Sequence, residues 1–129
     1  MSSQKKILVA DDESHILHVV SLKLTKAGYT VITASDGQEA FELASADRPD
    51  LLITDYHMPQ LSGLELCQKL RADPATSGIP TIMLTARGYA LEPADTEQSG
   101  ILRTISKPFS PRQLLTTVNE ILGVVENAA

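Results

Sequence analysis

Four short stretches of this chain carry side chains able to do chemistry: "ADDE" at 10–13, "TDYHMP" at 54–59, "LTAR" at 84–87 and "SKPF" at 106–109. They hold three aspartates (Asp11, Asp12 and Asp55), a hydroxyl (Thr85) and an ammonium (Lys107), each at or just after the end of an apolar run. Singly, these residues are commonplace. An aspartate after a strand is most often a helix N-cap, the ordinary role for Asp12 taken alone, and a lone Thr or Lys there carries no signal. Gathered at one place they mean more. Three carboxylates repel and raise one another's pKa, and Lys107 alone cannot balance them, so the cluster calls for a shared divalent cation. A few hard oxygen donors, with water filling the remaining positions, suit Mg²⁺ better than Zn²⁺ or Ca²⁺. A carboxylate held beside such a cation and facing a lysine is arranged to receive a phosphoryl group, with Thr85 hydrogen-bonding one of its oxygens. Aspartate is a competent acceptor, forming an acyl phosphate, and the product adds about two negative charges at that point. The expected chemistry is a phosphoryl-accepting switch centred on Asp55.

Such a site exists only if the fold brings distant segments together. Five apolar runs predict strands: 6–10, 30–34, 51–54, 81–85 and 101–105. The first four are rich in Ile, Val, Leu and Thr and nearly continuous in apolar character, as strands buried on both faces are. Between them lie helical patterns. Leu17, Val20, Leu24 and Ala27 make one stripe with Gly28 as its C-cap. Ser35 or Asp36 caps a second helix that carries Ala40, Leu43 and Ala44 and stops at Pro49. Leu66 and Leu70 share a face of a third, which ends before Pro74, with Cys67 as core filler. Pro93 breaks the fourth segment, which predicts a short helix starting near it. The last combines Ser110 as N-cap, Pro111 in the first turn and Gln113 completing a capping box, with a stripe from Leu114 to Val125. Strands alternating with helices predict an α/β fold: a parallel sheet with right-handed crossovers and helices on both faces. In such sheets ligands bind outside the carboxyl ends of the strands, where Asp11, Asp12, Asp55, Thr85 and Lys107 all fall.

Composition bounds the rest. The 129 residues are 43% hydrophobic and 21% charged, a globular balance with room for one core. The net charge of −5 argues against a broad nucleic-acid footprint. The single cysteine forbids an internal disulfide and fits a reducing compartment. No stretch reads as a signal-peptide core or a membrane span, so a cytoplasmic chain without membrane contact is expected. Residues 1–129 are expected to form a single domain, with its core from about residue 5 to 125 and no output domain in this chain.

The ordered set "ILVADDE", "LLITDYHMP…SG", "TIMLTA" and "ISKPF" resembles the receiver domain of bacterial two-component response regulators. The resemblance implies a flavodoxin-like doubly wound (βα)5 sandwich with strand order 2-1-3-4-5. It implies that Asp55 accepts phosphate from a sensor histidine kinase or a histidine phosphotransfer protein and that an unknown downstream protein reads the result. It assigns Mg²⁺ to Asp12 directly, Asp11 mostly through water, Asp55, and the backbone carbonyl of His57. Thr85 and Lys107 match the phosphate-sensing hydroxyl and the ion-pairing lysine, and the Lys107–Pro108 bond is expected to be cis. His57 and Arg87, each two residues past a site residue, stand where variable residues flank the phosphoryl group and modulate its lifetime. His15 and His18, three apart on the first helix, read as surface residues, and the resemblance implies a partner contact for His18. The chain departs from the family at Thr104, where an aromatic usually sits. A monomer or weak homodimer is expected.

Two other functions compete with this one. A phosphatase of the haloacid dehalogenase type needs a second acid two residues past the nucleophile, and His57 occupies that place. A pseudo-receiver acting as a constitutive docking module would have no need of the intact Asp11, Asp12, Asp55, Thr85 and Lys107. Neither a turnover enzyme nor a nucleic-acid binder is expected of this chain.

Overall fold

Strands and helices alternate through the described part of the chain. The computed structural model describes residues 4–86 and 91–123. Within them the order is β1 (Lys6–Ala10), α1 (Ser14–Lys26), β2 (Thr30–Ala34), α2 (Gly37–Asp47), β3 (Leu51–Asp55), α3 (Gly63–Ala72), β4 (Thr81–Thr85), α4 (Pro93–Gln98), β5 (Ile101–Ser106) and α5 (Pro111–Leu122). Every strand pair is parallel, and the sheet runs β2-β1-β3-β4-β5. This is the doubly wound arrangement that the alternation and the resemblance imply.

Strand periodicity divides the core in two, because successive side chains point to opposite faces. Ile7, Val9, Ile53, Ile82 and Leu84 pack on one face with Val20 and Leu24 of α1 and Leu114 and Val118 of α5. Leu8, Ala10, Leu52 and Met83 point the other way, onto Ala40 and Ala44 of α2 and Leu66 and Leu70 of α3. Cys67 lies in this second layer, and burial pushes its thiol up to about 11, so it is inert filler.

The prediction of two-sided burial holds for β3 and β4, whose residues are all buried, and for all of β1 except Lys6. It fails for β2, where only Ala34 is buried. β2 is an edge strand, with a neighbour on one side only, and its apolar run did not reveal that. β5 forms the other edge. A bulge at Leu102 interrupts its register with β4 and leaves that leucine 51% exposed.

Local signals at the helix ends mostly act as expected. The Asp36 carboxylate accepts from the Glu39 N–H at the start of α2, and α4 begins at Pro93. α1 differs slightly: Ala27 is its cap residue and is exposed, and Gly28 follows with φ +101. α5 makes half of its predicted box. Ser110 accepts from the Gln113 N–H, but no reciprocal bond from Gln113 occurs among the described residues. The complete box belongs to α3, between Ser62 and Glu65. Val125, the predicted end of the last stripe, lies outside the described residues. No helix among the described residues is long and apolar enough to cross a membrane.

Candidate functional site

Parallel register delivers the site. Ala10 stands opposite Thr54, so Asp11 and Asp55 leave neighbouring strands side by side. Asp55 pairs in register with Leu84, and Thr85 with Ser106, which sets Thr85 and Lys107 the next steps across the same edge. Backbone bonds pin the ends: Asp11 N–H to Ala34 O (3.1 Å), Tyr56 N–H to Leu84 O (2.8 Å) and Lys107 N–H to Thr85 O (2.8 Å).

Two of the acids are deeply placed. Asp11 is 0% and Asp55 5% exposed. Burial pushes both carboxyls above their ordinary range; for Asp55 the Asp11 charge pushes the same way, while Lys107 opposes the rise in both. Lys107 Nζ donates to Glu13 Oε1 at 2.7 Å and to Asp11 Oδ2 at 2.9 Å, and lies 3.4 Å from Asp55 Oδ2. Burial pulls the lysine's pKa down, but the bonds to Glu13 and Asp11 outweigh it and hold the ammonium charged well above the usual lysine range. The Lys107–Pro108 peptide is cis.

Asp11, Asp12, Glu13 and Asp55 each offer a carboxylate oxygen, and these atoms all lie within 4.8 Å of one another. An open cleft of about 280 Å³ lies over them, bounded by Asp12, Glu13, Asp55, His57, Ala86 and Lys107. Asp12 does not cap α1. The cap position is Glu13, with no side-chain cap bond, which leaves the Asp12 carboxylate facing the cleft. Among the described residues, one ammonium against four clustered carboxylates leaves excess negative charge, and an all-oxygen set of this kind fits a hard divalent cation. The Thr85 hydroxyl is buried and has no hydrogen-bond partner among the described residues, a state that costs roughly 1–3 kcal/mol.

The structure brings together Asp11, Asp12, Asp55 and Lys107, with Thr85 at the adjoining strand end. His57 lies on the rim, its ring edge-on to Tyr56 at 4.8 Å. Arg87 lies outside the described residues. His15 and His18 are both exposed on α1, and neither belongs to the carboxylate cluster. Thr104 is exposed on β5. Two residues gained importance that their sequence context had not indicated. Glu13 is the nearest partner of Lys107, a role signalled only by its being a third consecutive acid. Gly63 lets α3 start against Asp55: a Cβ there would stand 2.3 Å from the Asp55 carbonyl oxygen, and the "SG" before a helical pattern was the available sign.

A family model described as the response regulator receiver domain matches residues 7–119. The chain is 41% identical over 125 residues to the alkaline phosphatase synthesis transcriptional regulatory protein PhoP of Bacillus subtilis, covering 97% of this chain and 51% of that protein. It is 37% identical over 118 residues to the phosphate regulon transcriptional regulatory protein PhoB of Pseudomonas aeruginosa, covering 92% and 52%. The chain thus spans about half the length of these curated relatives. Among solved structures, the chemotaxis response regulator CheY4 of Vibrio cholerae superposes with a TM-score of 0.85 at 34% identity, covering 92% of this chain and 99% of that one. With its fold, the acids at its strand ends and these matches in agreement, the chain belongs to the response regulator receiver domain family.

Proposed function

We propose that this domain accepts a phosphoryl group on Asp55 from a sensor histidine kinase or a histidine phosphotransfer protein and signals by altered protein contacts. The observation that carries it is the meeting of a nearly buried Asp55 carboxylate with Lys107 at 3.4 Å inside a four-carboxylate cluster. In the transfer, an Asp55 oxygen attacks phosphorus, a P–O bond forms, and the P–N bond to the histidine ring breaks with its electron pair leaving on nitrogen. Asp11, Asp12, Asp55 and the His57 carbonyl would hold Mg²⁺, which when bound supplies positive charge against the phosphoryl oxygens. Lys107 pairs with the charge gained at Asp55. Thr85 gives its buried hydroxyl, unpaired among the described residues, to a phosphoryl oxygen, and the need of that group for a partner supports its assignment.

Residues 1–129 act as one cytoplasmic receiver unit that neither binds nucleic acid nor turns over external substrates and associates weakly at most with its own copy. His57, on the rim of the cleft, and Arg87, two residues after Thr85 in the chain, modulate the lifetime of the acyl phosphate. The test is incubation with acetyl phosphate and Mg²⁺. Wild type is expected to gain ~80 Da, one phosphoryl group, and Asp55→Asn none. A wild-type chain that gains no mass refutes acceptance and favours a constitutive docking module. Turnover of phosphorylated small molecules favours the phosphatase.

A further inference from the structure

Lys107 has three N–H donors and three carboxylates to serve, and it serves them unequally. Glu13 at 2.7 Å and Asp11 at 2.9 Å take short bonds, while Asp55 is left at 3.4 Å. The two short contacts differ in freedom. Asp11 is fully buried, and its other oxygen accepts from the Glu13 N–H at 2.9 Å, so its carboxylate is fixed. The Glu13 side chain is 46% exposed and has water to turn to. Nor does the start of α1 need it: Glu13 holds the cap position and makes no side-chain cap bond there.

We infer that Glu13 is a positioning residue: it sets the resting place of Lys107, and the Glu13–Lys107 ion pair is the contact that loosens when Asp55 acquires an anionic group. This rests on Asp55 being the phosphoryl acceptor. The ammonium moves toward the new charge, Asp11 cannot follow it, and Glu13 is left to solvent and to His15, whose Nε2 lies 3.8 Å from Glu13 Oε2. The identity of residue 13 therefore tunes how readily the phosphorylated arrangement forms.

The test is the affinity of the whole chain for beryllofluoride at saturating Mg²⁺, read from amide shifts near Asp55, for wild type, Glu13→Gln and Glu13→Asp. Glutamine removes the charge. Aspartate keeps it but is a methylene too short for the 2.7 Å contact, and at an N-cap position it turns to the helix N–H groups instead. Both variants are expected to bind about three- to fivefold more tightly than wild type, the scale of one partly exposed ion pair. Unchanged affinity in both overturns the inference. So does tighter binding by Glu13→Gln with wild-type affinity in Glu13→Asp, since charge alone then explains the effect. A wild type that takes up neither beryllofluoride nor phosphate from acetyl phosphate overturns the acceptor assignment and this inference with it. Wild-type uptake with unaffected variants overturns this inference alone.

Discussion

Lys107→Met is expected to lower the stability of the metal-free protein at neutral pH by about 3 kcal/mol, the scale for removing one partner from a buried ion pair. The lysine is the cation found beside Asp11 and Asp55, at 2.9 and 3.4 Å, and its own side chain is only 17% exposed. Without it, two buried carboxylates face each other with Asp12 and Glu13 at the rim. The pH dependence has a definite sign. Burial already holds both carboxyls above the ordinary value of 3.8. Loss of the ammonium removes an influence that opposes the rise in both, leaving Asp11 only the bond from the Glu13 N–H. A carboxyl whose folded pKa exceeds its unfolded one favours the fold most below the unfolded value, and that favour disappears as pH rises through the folded value. The deficit of the variant is therefore greatest at neutral pH and shrinks as pH falls toward 4. On the proposed reading, Mg²⁺ restores part of it by supplying another cation. Urea unfolding at pH 7 and pH 5, with and without Mg²⁺, measures all of this. A variant as stable as wild type at pH 7, or a deficit that grows on acidification, refutes the account.

Gly63→Ala is expected to cost about 2 kcal/mol, within the usual range for overpacking, and to slow phosphorylation as well. The added Cβ would sit 2.3 Å from the Asp55 carbonyl oxygen and 2.8 Å from Met83 Sδ. The methionine can move, but the carbonyl belongs to the backbone that carries the acceptor aspartate. α3 has little room to retreat, since the Gly63 N–H donates to Tyr56 O at 2.7 Å and the Ser62/Glu65 box ties its first turn. The strain must pass to Asp55 or open the start of α3. Gly78, with nothing within 4 Å of its added Cβ, provides the control: Gly78→Ala is expected to remain within about 0.5 kcal/mol of wild type. Chemical unfolding and the rate of mass gain with acetyl phosphate, measured on both variants, decide the matter. Equal behaviour of the two alanines would show that the close approach at Gly63 has no consequence.

The strands, the helices and the edge of the sheet that holds the chemistry were legible from residue order. Apolar runs of β-branched and aliphatic residues have a period that backbone geometry imposes locally, and Ser110, Pro111 and Pro93 act on their own neighbourhoods. Asp11, Asp12, Asp55, Thr85 and Lys107 could be named together because strands in a parallel sheet all end on the same side, a rule that needs no coordinates. The edge position of β2 could not be read, since exposure depends on which strand lies alongside and not on the run itself. Asp12 looked like an N-cap because that role is decided by where α1 begins, one residue later than the acid suggests. The ranking of partners around Lys107 lay furthest from view. Glu13, Asp11 and Asp55 are chemically near-equivalent carboxylates in a linear chain. The 0.7 Å between the shortest and longest of their contacts arises from packing between β1, β3 and the β5–α5 turn, which tertiary contacts alone establish.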